Sequence, residues 1–540
     1  MHLLEPSCAR RKWSAAVAIA VVWTAMPIIA AQRTVASPES PPFTVVEATI
    51  DDVQAALRAR KLTCRRLVEL YLERIHAYDK AGPALNAVQT INPRAAQEAE
   101  RLDAAFSASG PVGPLHCVAV LVKDQIDTSD MPTTHGFVGF KDFVPAADAT
   151  IVTRLRRAGA LILGKATMGE FASGYLSSAS GPIRNAYDPR RSASGSSGGT
   201  GSGIAANFAT IGIGEDTGGS IRGPAAVNNI VGLRPTLPLV SRHGMSPARP
   251  STDTLGPITR TVRDTAIVLD VIAGYDPADP ITASAVGHTP ASYTDALARD
   301  GLRGARIGII REPMHATADP KSEDYRKVRA VFDRAVGELQ TLGAQLVDPI
   351  TIPDVIDRLN QAYDGNVFET EAAMNTYLAE HRNAPFRTLR EILLSGRMVP
   401  SRALTLMTVV GKSTDDIGYL QVLRVQQETR QLVFALMAEQ RLDAFMYATF
   451  DHQVGVMADD VMTRPVVEDF AGIGNNRRLS PVLGFPAVAV PAGFTTDGVP
   501  VGIEFMARPF AEPTLLRIAF SYEQGTRHRI PPALTSSGPR

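Results

Sequence analysis

The 540-residue sequence predicts an α/β protein, a single large domain whose mixed central β-sheet is covered by helices on both faces. Three observations carry that expectation. The apolar runs at 117–122 and 160–163 have the length of strands and are bounded by charge or turn residues. Between them Ile151, Val152, Leu155 and Ala158 recur on one helical face behind Asp148 as N-cap, giving strand, helix, strand. No internal repeat of fixed period divides the chain.

In chain order, Thr49 and Asp52 form a capping box that opens a helix, and 62–78 repeats apolar residues at helical spacing. The run 117–122 reads as a buried strand that delivers Lys123 at its exit. Residues 198–209 are small and apolar, as in a helix packed tightly inside the body. The stretches 211–214 and 230–233 have strand composition. From about 276 to 420 charged helices such as 322–342 alternate with loops, which predicts an added, variable layer that selects substrate. The runs 487–493 and 501–506 return to the central sheet, and Pro509 and Pro513 punctuate the approach to a last helix.

Composition excludes several classes. Hydrophobic residues at 45% and charged residues at 20% describe a globular chain, neither disordered nor fibrous. Lys plus Arg balances Asp plus Glu at 55 each, so no net field recruits nucleic acid, and a small, roughly neutral partner fits better. Ten histidines without metal-ligand spacing, and the absence of CxxC and HExxH, argue against a zinc hydrolase; neither metal nor cofactor is expected. At the N-terminus Arg10, Arg11 and Lys12 precede an apolar run at 13–31 and a Pro/Ser-rich stretch at 37–42. That order predicts an export signal within 1–36, cleaved after Ala31 or Ala36, with the domain proper at 37–540. The alternative is an uncleaved anchor, the one way a membrane would be involved. Of three cysteines, Cys8 leaves with the signal, so Cys64 and Cys117 allow at most one disulfide.

The stretch GIGEDTGGSIRG, 212–223, has several readings. A dinucleotide fingerprint fails because Gly212, Gly214 and Gly218 miss the GxGxxG spacing by one residue, and a P-loop fails for want of a GK[ST] ending. A plain turn uses the same residues. Yet backbone N–H groups of Thr217, Gly218, Gly219 and Ser220 can also converge on one point, as an oxyanion hole requires. A serine nucleophile needs a base, and no GxSxG or Ser-Asp-His order is present. A second cluster, SASGSSGGTGSG at 192–203, places Ser196 24 residues before Ser220, and Lys123 lies 73 before Ser196. A lysine buried at a strand end serves as base once its pKa falls about two to three units from about 10.4; a surface lysine paired with Asp124 or Asp127 is the alternative. A neutral-lysine requirement predicts higher activity at alkaline pH.

Five segments together resemble the amidase signature family of serine hydrolases. GPLHCVAVLVKDQIDTSDMPTTHG (113–136) resembles its lysine segment, GSSGGTGSGIAA (195–206) its first serine segment, and GIGEDTGGSIRGPAAVNNIVGLRPT (212–236) its nucleophile segment. DTLGPITRTVRDTA (253–266) and GFPAVAVPAG (484–493) also follow the pattern, and the likeness runs from about 45 to 530, strongest over 113–266. The resemblance implies the amidase signature fold, with Ser220 as nucleophile, Ser196 as bridging serine after a cis peptide bond, and Lys123 as general base. It further implies an oxyanion hole at Thr217, Gly218, Gly219 and Ser220, and Asp216 and Arg222 as braces of the turn. Adjacent Ser197 is the alternative bridge.

The implied function is hydrolysis of a small-molecule carboxylic amide to acid plus ammonia or amine through an acyl-enzyme, without cofactor, in a chain acting as monomer or homodimer outside the cytoplasm and similar to peptide amidases. The rival readings are a silent binding protein and the A subunit of an amidotransferase. Three departures stand out: Glu215 where members commonly carry threonine, Ser192 to Ser194 in place of a proline and glycine approach, and Thr167 in place of asparagine. Glu215 beside Asp216 is expected to raise a neighbouring pKa by like-charge repulsion. Met374, Tyr377, Phe386, Met398 and Met407 are candidates to line the acyl pocket, or are ordinary core.

Overall fold

Thirteen strands organise the described part of the chain. They are β1 (Val88–Ile91), β2 (Ala119–Lys123), β3 (Leu161–Ala166), β4 (Leu176–Ser177), β5 (Gly181–Pro182), β6 (Ile211–Asp216), β7 (Val231–Arg234), β8 (Thr254–Thr259), β9 (Arg306–Ile310), β10 (Gln345–Ile350), β11 (Ala444–Ala448), β12 (Ala487–Phe494) and β13 (Pro500–Met506). The computed structural model describes residues 15–18, 20, 43–467 and 474–534. Residues 1–42 form one unit and 43–540 another. The segment read as export signal or anchor lies outside the described residues apart from 15–18 and 20. No helix among the described residues is long and apolar enough to cross a membrane.

Eleven strands form one sheet in the order β1-β3-β2-β6-β8-β7-β12-β13-β11-β9-β10, while β4 and β5 make a separate hairpin. The pairs β2·β3, β2·β6, β9·β11 and β9·β10 are parallel and the rest antiparallel, so the sheet is mixed as expected. Side chains alternate across it. Val120 and Val122 of β2 pack with Ile151, Val152 and Leu155 in one core. Ala119 and Leu121 pack with Leu67, Val68, Tyr71 and Ile204 in the other. Both faces are thus covered, and the strands of this region read as apolar runs because neither side meets water.

Local chemistry explains most boundaries. Thr49 accepts from the N–H of Asp52, whose carboxylate accepts in return from Thr49, the expected capping box. The helix Cys64–Tyr78 opens on Thr63, and Glu323–Thr341 on Ser322. Asp148 is not the N-cap of Thr150–Arg157: Ala149 is, and the Asp148 carboxylate instead accepts from the N–H of Ser129 at 2.7 Å. The helix expected over 198–209 stops at Ala205, where Asn207 turns left-handed and Phe208 donates back to Gly203. The 276–420 segment is more than an added layer, because it supplies β9 and β10 to one edge of the sheet. Cys64 and Cys117 form a disulfide, with Cα atoms 5.3 Å apart, that ties the Cys64–Tyr78 helix to the chain just before β2.

Candidate active site

Two neighbouring parallel strands, β2 and β6, bring the first two groups together. Val122 pairs with Ile213, which brings the ends of the two strands together, and there the Lys123 side chain reaches the Glu215 carboxylate. The Lys123 Nζ lies 2.6 Å from Ser196 Oγ, 2.7 Å from Glu215 Oε2 and 3.3 Å from the Glu215 carbonyl, with no part of either charged side chain exposed.

Ser196 follows a cis Gly195–Ser196 peptide bond and precedes the helix Gly198–Ala205. That helix can lie so close because it is built of small residues: a Cβ on Gly199 would stand 2.3 Å from the Thr167 carbonyl. Ser196 and Ser197 are told apart by their partners. Ser197 Oγ donates to the Glu215 carbonyl at 3.1 Å and so belongs to the β6 backbone, while Ser196 Oγ meets the lysine. The Ser197 N–H donates to the Ser220 carbonyl at 3.3 Å, joining the two serine segments.

Ser220 sits in the turn between β6 and the short helix Arg222–Val227. Its 9% exposure faces a cleft of about 380 Å³, whereas Ser196 and Lys123 are shut in at 1% and 0%. The turn is braced by Asp216, which accepts from the N–H of Gly219 at 2.7 Å and of Ile221 at 3.0 Å. Arg222 Nε reaches Asp216 at 3.2 Å, Arg234 also meets it, and all three side chains are fully buried. Arg222 further bridges to Glu504 of β13 and to the Arg477 carbonyl. Burial alone would lift the Asp216 carboxyl, but Arg222 and Arg234 beside it hold it well below the usual carboxylate range. One expectation needs correcting: the Gly219 N–H is taken by Asp216. Among the described residues the N–H groups of Thr217, Gly218 and Ser220 meet no such acceptor.

A second correction concerns Glu215. Successive strand residues point to opposite faces, which separates the Glu215 carboxylate from that of Asp216; Glu215 meets Lys123 and Asp216 meets the arginines. No like-charge rise appears at Asp216. Burial lowers the Lys123 ammonium below its usual range although Glu215 opposes this, and burial lifts the Glu215 carboxyl to about 7 although Lys123 opposes that. Both move toward the uncharged state. Thr217 donates its hydroxyl to Glu215 Oε1 at 2.6 Å.

Of the apolar candidates from the 276–420 segment, none lines the Ser220 cleft. Met374, Tyr377 and Met398 are core, packed with Phe137, Phe140 and Phe171; Phe386 packs against that cluster and Met407 is exposed. The segment does reach the cleft through Tyr363, Val367, Arg402 and Leu406. Sequence reasoning missed the cleft's basic lining of Arg249, Arg402, Arg477 and Arg478. Arg477 and Arg478 adjoin in NNRRLS, a visible pair, but Arg249 and Arg402 carry no local signal. Tyr363 lies between Arg249, 4.6 Å from its ring centre, and Arg478 at 5.2 Å. A larger cleft of about 780 Å³, lined by Asp127, His243, Tyr377 and His381, does not contain Ser220.

The family model for amidases matches residues 66–516. A probable amidase of Arabidopsis thaliana is 33% identical over 91% of this chain and 92% of its own. The A subunit of the glutamyl-tRNA(Gln) amidotransferase of Symbiobacterium thermophilum is 35% identical over 89% and 100%. Among solved structures, the native peptide amidase of Stenotrophomonas maltophilia superposes with a TM-score of 0.81 at 36% identity, covering 91% of this chain and all of that one. With the mixed sheet, the glycine-bounded serines and a family match across most of its length, the chain belongs to the amidase signature family.

Proposed function

We propose that the protein hydrolyses a carboxylic amide to acid plus ammonia or amine, with Ser220 as nucleophile, Ser196 as bridge and Lys123 as base. The observation that carries this reading is the 2.6 Å contact between Lys123 Nζ and Ser196 Oγ, beside a serine that opens onto the cleft. Ser220 attacks the amide carbon as its proton passes to Ser196 and the proton of Ser196 passes toward Lys123. The oxyanion is met by the N–H groups of Thr217, Gly218 and Ser220. Ser196 returns a proton to the departing nitrogen, and water, activated by the same route, releases the acid from the acyl-enzyme.

A fluorophosphonate probe tests the assignment: the label is expected on the peptide containing Ser220 and absent from Ser220→Ala. Labelling elsewhere, or none in folded protein, favours the silent binding reading. Screening amides for ammonia or amine release then finds the acyl and amine classes accepted.

Relatives that are A subunits of amidotransferases support a second reading, in which the chain works with partner subunits. Amide hydrolysis by the purified chain alone separates the two. Export is part of the proposal: the basic-then-apolar N-terminus supports it, and the Cys64–Cys117 disulfide is a bond that persists in oxidising compartments. Finding the mature chain in the cytoplasm would count against it.

A further inference from the structure

We propose that Glu215 is the terminal proton acceptor of the relay, so that the base behind Ser220 is a Lys123–Glu215 pair rather than a lone lysine. This rests on the roles given above to Ser220, Ser196 and Lys123. The Lys123 Nζ has three oxygens around it: Ser196 Oγ, Glu215 Oε2 and the Glu215 carbonyl. An ammonium has three N–H donors and no lone pair, so this surround suits the protonated lysine. A protonated lysine takes a proton from Ser196 only after giving one up, and Glu215 is its ion-pair partner among the described residues, at 2.7 Å.

The carboxyl is held for that exchange. Thr217 fixes Oε1 with a 2.6 Å hydrogen bond and leaves Oε2 to the lysine. Neither side chain reaches solvent, so burial penalises the charged pair while contact favours it, and the proton moves between the partners at little cost. The charged groups facing Glu215 are few among the described residues. They are Lys123 of β2, Asp253 just before β8, and Arg234 of β7, close enough to feel its charge. Asp216, next along β6, is neutralised by Arg222 and Arg234.

Every proton in the step has a donor and a destination. The Ser220 Oγ–H bond breaks as Oγ bonds the amide carbon, and that proton goes to Ser196 Oγ. The Ser196 proton goes to Lys123 Nζ, and one Lys123 proton goes to Glu215 Oε2. The pair gains one positive charge as the substrate carbonyl gains one negative. On collapse each proton steps back, and the last one, from Ser196, goes to the leaving nitrogen.

The pH dependence of Ser220 labelling by a fluorophosphonate, followed by intact mass from about pH 5 to 10, decides the matter for wild type, Glu215→Gln and Glu215→Thr. If Glu215 accepts the proton, wild type works with one proton on the pair and loses reactivity when a second binds. Each variant leaves lysine alone, whose pKa lies above that second protonation, so the acid limb moves up by roughly one unit or more. If Glu215 only keeps the lysine charged, wild type needs the pair stripped of both protons, and the variants move the limb down. A downward shift overturns the proposal. So does an unshifted limb with a lower plateau, the mark of a merely structural role, and so does loss of labelling at every pH in both variants while their melting curves stay native. Wild type that never labels at Ser220 overturns the nucleophile assignment, and this proposal with it.

Discussion

Asp216 and Arg222 form a fully buried ion pair, Oδ2 to Nε at 3.2 Å, directly beneath the turn that carries Ser220. The same carboxylate holds the N–H groups of Gly219 and Ile221, so charge and backbone geometry are fixed by one side chain. A pair so enclosed contributes more through what its loss exposes than through its own attraction.

Asp216→Asn leaves Arg222 and Arg234 facing a neutral group and is expected to lower unfolding free energy by about 3 to 5 kcal/mol. The Asp216 carboxyl is held low in the folded state, so its contribution is present above the unfolded pKa of about 3.9 and is lost as pH falls below it. Denaturant unfolding near neutral pH and again near pH 3 checks both parts: the wild-type advantage shrinks in acid. Equal stability of the two proteins at neutral pH would exclude the brace.

Asp264 behaves in the opposite sense. Burial, opposed by Arg260, raises its carboxyl to about 6, and its Oδ1 accepts the Ile50 N–H at 3.1 Å. With the folded pKa above the unfolded one, its protonated form favours the native state below about pH 4, and that contribution is lost as pH rises through 6. Asp264→Asn, which cannot ionise, is expected to gain on wild type by up to about 3 kcal/mol between pH 4 and 7, at about 1.4 kcal/mol per unit. A constant difference across that range would contradict the raised pKa.

The Cys64–Cys117 disulfide closes a loop of 53 residues. A chain-entropy estimate puts its contribution at about 4 kcal/mol. Reduction, or replacement of both cysteines by serine, is expected to lower the denaturant midpoint while leaving Ser220 reactive in the protein that remains folded. An unchanged midpoint after complete reduction would show that the clip adds no stability.

Gly219 has φ +113°, and a Cβ there would stand 2.5 Å from Arg477 Cβ. Gly219→Ala therefore strains the backbone by about 1 to 3 kcal/mol and pushes Arg477 from its hydrogen bond to the Gly219 carbonyl. The expected result is a tenfold or greater fall in kcat, roughly 1.4 kcal/mol or more of transition-state stabilisation, with the displacement read as a changed melting temperature. Wild-type kcat would mean that the turn is not held as tightly as its contacts imply.

How much of this was legible in the sequence depends on the range over which each feature is encoded. The strand that ends at Lys123 could be read locally, because five buried positions in a row and a following charge are all near neighbours in the chain. The spacing of Ser196 and Ser220 added a longer-range signal, but only as a family resemblance. The partner of Glu215 could not be read at all. It depends on how the ends of β2 and β6 come together in the fold, which brings Lys123 Nζ to Glu215 Oε2 while the next residue, Asp216, meets the arginines. Helical periodicity encodes burial rather than the cleft: Met374 and Tyr377 are spaced as ordinary core and are core, not presented to Ser220. Arg249 and Arg402 lie in different parts of the chain and meet only through folding.

The relay itself is tested most directly by the turnover of Lys123→Ala on an amide that the wild type hydrolyses, with a melting curve to show that the variant is folded. Removing the proposed acceptor of the Ser196 proton is expected to lower kcat by at least about a hundredfold. Wild-type kcat in a folded Lys123→Ala protein would contradict it.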